Sequence, residues 1–95
     1  MIIEQIALEN GTALGLKFEM QNSPLLAIKA DKGFVMCGYL DIDMAETLGD
    51  VAVRVRGVNT FEDVLDAQVV GITQAAADLG IDIKMNARDA LERMF

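Results

Sequence analysis

Cys37 is the residue with the most chemical potential in this chain, because it is the only cysteine. It lies within residues 32–41, an otherwise apolar segment that we interpret as a strand ending at Asp41. A thiolate can act as a nucleophile or a redox centre, and Asp41 is spaced to serve as its acid or base. Gly38 would let a ligand or another backbone approach closely. We therefore take Cys37 and Asp41 as candidate catalytic residues and Gly38 as a candidate ligand-binding residue.

The composition also supports a purely structural interpretation of Cys37. The chain contains no histidine, so the usual cysteine–histidine catalytic pair is excluded. Free cysteine is among the most frequently buried residue types and behaves as a small apolar side chain in a strand. Packing is thus the favoured role of the thiol, and a functional thiol is the alternative.

Arg54 and Arg56 are candidate ligand-binding residues because they alternate with valines in residues 51–56 and would share one face of a strand. Paired guanidinium groups can bind a carboxylate or a phosphate through bidentate hydrogen bonds. The alternative in an acidic chain is a solvated or inter-subunit salt-bridging face. Thr60 is a further candidate, since the helix that we expect to begin there offers free N–H groups to an anion, as every helix does.

Asp41, Asp43 and Glu46 could bind Mg²⁺ or Ca²⁺ through their oxygen atoms. Asp43 and Glu46 equally fit a capping box that opens a helix, and we favour that interpretation. We expect no metal and no cofactor, because the sequence has neither a metal-ligand cluster nor a phosphate-binding glycine loop.

The charge and hydropathy of the chain argue against several classes of partner. The formal net charge is −7, whereas nucleic-acid binding depends largely on Lys and Arg. No apolar run reaches the roughly 18–20 residues that a membrane helix needs, and residues 1–4 do not resemble a signal peptide. A single cysteine cannot form an internal disulfide. We expect a cytoplasmic protein without nucleic-acid or membrane partners.

The first half of the chain has the two-residue period of strands, and Asn10 with Gly11 is typical of a tight hairpin turn. We interpret residues 21–24 as a loop, since Pro24 lacks an N–H group. The third and fourth strands are nearly continuous apolar runs, typical of strands buried on both faces. The predicted strands are residues 2–9, 12–20, 25–30, 34–40 and 51–56.

The second half changes to a helical period. Helices are expected from Asp43 to Gly49, from Thr60, and from Asn86. Another helix would carry Ile72, Ala75, Ala76 and Leu79 and end at Gly80. The sequence therefore predicts one α+β domain over residues 1–95. Its N-terminal antiparallel hairpin and central sheet of about five strands would be packed by three to four helices, mainly C-terminal.

The chain is 53% hydrophobic, more than the core of one 95-residue domain needs. Strands that are buried on both faces also need two covering layers, and the helices can supply one. The other must come from the N-terminal hairpin or from another copy of the chain, and the apolar surplus favours copies. We therefore predict a homo-oligomer assembled through the N-terminal strands.

Four segments resemble the YunC-like family, domain of unknown function 1805: residues 32–42, 57–67, 75–81 and 86–91. The resemblance is strongest in the Met-Cys-Gly-x-Leu-Asp block and in the Gly-Val-x-Thr block that follows it. It implies a single α+β domain with an N-terminal β tetramerisation region, here residues 1–22, and it implies no activity. Lys84, Asn86 and Ala87 depart from the pattern, since the family commonly has glycines and a small polar residue around Met85.

The function that we predict is the subunit of a small cytoplasmic homo-oligomer, a tetramer by the resemblance, with a small-molecule site near Cys37 and Asp41. The alternative is a thiol-dependent enzyme in which Cys37 is nucleophile or redox centre. A third interpretation is a regulatory binding module without chemistry.

Overall fold

The computed structural model describes residues 1–95 as a six-stranded mixed sheet with four helices, which confirms the α+β class. The two-residue apolar period produces long strands at the N-terminus, and the capping residues begin the helices of the C-terminal half. The strands are β1 (Ile2–Ala7), β2 (Thr12–Glu19), β3 (Pro24–Lys29), β4 (Phe34–Met36), β5 (Ala52–Arg54) and β6 (Gly71–Ile72). The helices are α1 (Ile42–Leu48), α2 (Phe61–Asp66), α3 (Gln74–Asp78) and α4 (Ala87–Glu92). No helix is long and apolar enough to cross a membrane.

The strands lie in the sheet in the same order as in the chain. Neighbouring strands are antiparallel except for β4 and β5, which are parallel because α1 lies in the connection between them. In the antiparallel part Ile3 is opposite Leu16, and Leu16 is opposite Ala27, so these three side chains share one face.

One face of the sheet packs against α2 and α4 and holds the main core. We call it the covered face. Leu26, Ile28, Val35 and Val53 are fully buried there, in a cluster of 18 buried residues. The helices add their own apolar stripes to this cluster, so most of the apolar burial of the fold lies on one side of the sheet.

The opposite face is covered only at β4 and β5, where Met36 and Ala52 pack against Ala45 of α1. Across β1, β2 and β3 this face has no covering layer, and we call that part the open face. Its apolar members include Ile3, Leu14, Leu16, Phe18, Leu25 and Ala27, and the polar residues Gln5, Thr12 and Lys29 share the same face. The side chains of Ile3, Leu14 and Phe18 are 58%, 48% and 47% exposed. The prediction that residues 25–30 are buried on both faces is therefore wrong for β3, where Leu25 and Ala27 are only half-buried.

The strand predicted over residues 34–40 is too long. β4 ends at Met36, and residues 37–40 form a turn in which the Leu40 N–H donates to the Cys37 carbonyl at 3.2 Å. Continuous apolarity cannot distinguish a strand from a buried turn, which explains the error. The interpretation of Cys37 as a residue inside a strand that ends at Asp41 is corrected accordingly.

Two helix starts also differ from the predictions. The N-cap of α1 is Asp41 rather than Asp43, and its carboxylate accepts the N–H groups of Asp43 and Met44. Ile72 belongs to β6, where it pairs with Val53, and α3 begins only after Thr73. The caps predicted at Thr60 and Asn86 are confirmed, since each side chain accepts a hydrogen bond from an N–H of the first turn.

Candidate functional site

Cys37 lies in the wall of a surface cleft with a volume of about 450 Å³. Three segments line this cleft, namely residues 23–24, 37–39 and 57–59. They lie at the start of β3, after β4 and after β5, in that order. Because β3 runs antiparallel to β4 and β5 runs parallel to it, these three positions meet at the same end of the sheet.

The Cys37 thiol replaces a carbonyl group in the ladder between β3 and β4. The Cys37 N–H donates to the Leu26 carbonyl at 3.1 Å, and the Leu26 N–H donates back to the Cys37 Sγ at 3.3 Å. The Cys37 carbonyl accepts the Leu40 N–H in the turn instead of the Leu26 N–H. The residue is only 4% exposed and its thiol is free. Cys37 therefore has two roles: its backbone N–H and thiol end the β3–β4 ladder, and the residue borders the cleft.

Arg54 supports the turn that carries Cys37. Its Nη2 donates to the Gly38 carbonyl at 3.2 Å, and its Nε is buried without a hydrogen-bond partner. No carboxylate forms a salt bridge with this guanidinium, since the two ion pairs of the protein are Lys17–Glu19 and Arg88–Asp66. The half-buried positive charge therefore lies directly behind one wall of the cleft.

Gly57 shapes the opposite wall. Its φ angle is +71°, in the left-handed region that glycine adopts without strain, and it turns the chain from β5 toward α2. Two hydrogen bonds then fix the start of α2. The Asn59 N–H donates to the Asp63 carboxylate at 3.0 Å, and the Thr60 Oγ1 accepts the Asp63 N–H at 3.0 Å. Thr60 thus acts as a helix cap, and the wall of the cleft is held by this reciprocal pair.

The cleft has no charged side chain in its lining. Its polar groups are the hydroxyls of Ser23 and Tyr39, the amide of Asn59 and the backbone of two glycines. Pro24, Val58 and Cys37 complete the lining. Such a lining suits a small molecule that is held by hydrogen bonds and van der Waals contacts.

The structure brings Cys37 and Gly38 together in the cleft, whereas the other predicted site residues lie outside its lining. Asp41 caps α1 and is exposed. Arg54 touches the cleft only through Gly38. Arg56 is exposed and lines a separate hollow with Asp63 and Asp66.

Sequence reasoning missed three of the lining side chains, Ser23, Tyr39 and Asn59. Tyr39 follows the candidates Cys37 and Gly38, and Asn59 precedes the candidate Thr60. Their position beside these candidates is the only sequence signal that could have found them. For Ser23 the sequence indicates only that it lies in the loop predicted over residues 21–24.

Comparisons with known proteins place the chain in a family. Residues 36–94 match the model of a domain of unknown function, DUF1805. The chain is also 39% identical over 87 residues to the uncharacterized protein YunC of Bacillus subtilis (strain 168), covering 87% of this chain and 84% of that protein. The chain belongs to the DUF1805 family. Two of the three cleft segments, residues 37–39 and 57–59, fall inside the part that matches the DUF1805 model.

A crystal structure gives a close match to the whole fold. It is that of TA1206, a protein of unknown function from Thermoplasma acidophilum, with a TM-score of 0.94 and 37% sequence identity. The match covers 99% of this chain and 92% of the other. The DUF1805 and YunC matches confirm the resemblance to the YunC-like family, and the structural match covers β1–β3 as well.

Proposed function

We propose that this DUF1805 protein binds a small molecule in the cleft beside Cys37. The observation that carries the proposal is the lining of the cleft, where three chain segments bring a thiol, two hydroxyls and an amide side chain together around a volume of about 450 Å³. Its mixture of apolar walls and a few polar groups is also characteristic of such sites. Binding without chemistry would make the protein a regulatory or carrier module.

Thermal unfolding in the presence of a metabolite collection tests this proposal. A ligand that binds only the folded state stabilises it by about 2.7 kcal/mol at a concentration 100 times its Kd, and so raises Tm. We expect Ser23→Trp to abolish the effect by filling the cleft, whereas Ser23→Ala should retain it. Ser23 is exposed, so neither substitution should change the Tm of the free protein. A compound that stabilises the parent and the Ser23→Trp variant equally would show that the cleft is not the site.

We further infer that the protein is a homo-oligomer, specifically a tetramer, assembled through residues 1–22. The open face supports this, since three large apolar side chains on it are about half exposed and no element of the same chain covers them. Light scattering at micromolar concentration should report a mass several times that of the 95-residue chain. A stable single protomer under those conditions would contradict the inference.

A cytoplasmic location is also part of the proposal. The chain has a single cysteine, whereas small secreted domains are commonly rich in disulfides. Fractionation of cells that produce the protein, with detection by antibody, should recover it with cytoplasmic markers. Recovery with membrane or secreted markers would contradict the location.

A thiol-dependent enzyme is the second candidate function. The Leu26 N–H that donates to the Cys37 Sγ favours it, because a thiolate accepts such a bond more strongly than a thiol does. The 4% exposure of the residue and the absence of histidine favour packing instead. Rapid alkylation by iodoacetamide at neutral pH, suppressed by a metabolite, would support the enzyme. Reaction only after unfolding would leave Cys37 a packing residue.

A further inference from the structure

We infer that the cleft binds its ligand by a carboxylate group, which accepts the Tyr39 N–H, and that Arg54 strengthens this N–H donor from behind the wall. The inference deepens the proposed function and rests on it, because it assigns a ligand class to the same cleft. It treats Arg54 as a positioning residue that acts through a peptide group and does not touch the ligand.

The geometry of one peptide group carries the first step. The peptide that joins Gly38 to Tyr39 is the central one of the turn, and its carbonyl oxygen accepts from the Arg54 Nη2 at 3.2 Å. The chain contains no cis peptide bond. In a trans peptide the N–H points opposite to the C=O. The Tyr39 N–H therefore points away from the guanidinium.

The side from which Arg54 approaches gives the direction of that N–H. Arg54 is the strand partner of Met36, so it lies on the face that α1 covers. The Cys37 side chain belongs to the core of the covered face, on the other side of the sheet. An N–H that points away from Arg54 thus points to the side of Cys37, where the cleft lies.

Other N–H groups in the cleft also have no acceptor in the protein. The amides of Gly38, Tyr39, Gly57 and Val58 make no hydrogen bond within the chain, although Val58 is only 7% exposed. They lie on both walls, and no acidic side chain is in the lining to receive them. Backbone N–H groups that line one concavity and have no acceptor in the chain are the donors from which anion sites are built.

Charge then distinguishes a carboxylate from other ligand groups. The Arg54 charge is not neutralised by a salt bridge, and hydrogen-bonded groups in series polarise one another, so the cation makes the Tyr39 N–H a stronger donor. Hydrogen bonds to a charged acceptor are about twice as strong as neutral ones. A cationic ligand would face the unpaired Arg54 charge, and the lining has no carboxylate to balance its own charge. A neutral ligand would accept hydrogen bonds from the same N–H groups, but these bonds would lack the added strength that a charged acceptor gives.

Three probes of nearly the same shape and different charge test the ligand class: benzoate, benzamide and benzamidine. Each is titrated into the ¹⁵N-labelled protein, and the amide signals of residues 38, 39, 57 and 58 are followed by NMR. We expect benzoate to shift these signals at the lowest concentration and to move the Tyr39 proton most. Benzamidine should leave them unchanged.

Variants of Arg54 test its role. We expect Arg54→Met to weaken benzoate binding by about ten-fold, the loss of one charge-assisted interaction, and to shift the Tyr39 amide proton upfield even without benzoate. Arg54→Lys should restore part of both effects. The matched control is Arg88→Met, which removes the same charge from an exposed pair with Asp66 and should change neither.

The outcomes separate the inference from the proposed function. If none of the three probes shifts a cleft amide, the cleft is not a small-molecule site and both proposals fail. If benzamide or benzamidine binds at least as tightly as benzoate, the cleft remains a site and the carboxylate assignment is overturned. If Arg54→Met binds benzoate as tightly as the parent does, the role of Arg54 is overturned. If Arg54→Met does not fold, the parent decides: the role of Arg54 is overturned when benzoate fails to move the Tyr39 signal.

Discussion

Strands β1–β3 contain six, eight and six residues, whereas β4–β6 contain three, three and two. The long strands pair along their whole length but bury only one face well. The short strands are covered on both faces, by α1 on one side and by the main core on the other. The two halves of the same sheet are thus stabilised in different ways.

The difference explains where the two candidate functional surfaces lie. Long paired strands form a regular, flat surface, and an apolar surface of this kind needs a cover from outside the chain. Short strands return to loops quickly, and the loops after β4 and β5 form the cleft with the residues at the start of β3. Regular pairing therefore supplies the surface for assembly, and irregular segments on a packed support supply the site.

Replacement of one leucine on each face should give the largest contrast. Leu26→Ala removes a fully buried side chain from the covered face and should lower the free energy of unfolding by about 3 kcal/mol. Leu14→Ala, on the open face, should cost a single protomer less than about 1 kcal/mol, because that side chain is already 48% exposed. Urea unfolding measures both values. Similar losses in the two variants at protein concentrations where only protomers exist would erase the distinction between the faces.

The short-strand half depends on buried polar contacts, and Thr73 is the main one. Its hydroxyl donates to the Asp50 carbonyl at 2.6 Å and accepts the N–H groups of Ala52 and Ala76. Thr73→Val keeps the shape but leaves these buried groups without a partner, which should cost about 2 kcal/mol. Thermal and urea unfolding are the measurements. Thr47→Val is the control, since Thr47 is exposed on α1 and its loss should change stability by less than about 0.5 kcal/mol.

The sequence was a good guide to the fold where a local signal was strong. Two-residue alternation and Asn10 with Gly11 predicted β1 and β2, and capping residues predicted the starts of α2 and α4. The errors lie where the apolar pattern was continuous or mixed. Residues 34–40 read as one strand although the chain turns after Met36, and Ile72 fitted a helical stripe although it pairs with Val53. In both cases tertiary packing decided between two local structures that the pattern allowed.

The candidate site was predictable only in part. Cys37 and Gly38 were found because an unusual residue type marked them, and both line the cleft. The rest depends on which strand ends lie side by side, and that order is a long-range property of the sheet. Ser23 is 14 positions before Cys37, and Asn59 is 22 positions after it. No local period could indicate that these three residues meet.

A smaller effect is expected at the junction between the two halves. Cys37→Ala leaves the buried Leu26 N–H without an acceptor, and we expect a loss of about 1 kcal/mol in the free energy of unfolding. Cys37→Ser keeps an acceptor at nearly the same place and should unfold within about 0.5 kcal/mol of the parent. Chemical denaturation measures the difference. Equal stability of the two variants would mean that the contact between the Leu26 N–H and the sulfur contributes nothing.

The smallest effect on folding is expected from Phe18→Thr, and it gives the clearest test of the open face. Phe18 is 47% exposed, and threonine has a high strand propensity, so the folded protomer should lose less than about 0.5 kcal/mol. The same change puts a hydroxyl into the surface that we expect copies of the chain to bury, so the mass measured by light scattering should fall. Phe18→Leu keeps the surface apolar and should keep the mass. If Phe18→Thr leaves both the mass and the circular dichroism of the parent unchanged, the open face is not the contact between subunits, because a buried hydroxyl without a partner would have weakened it.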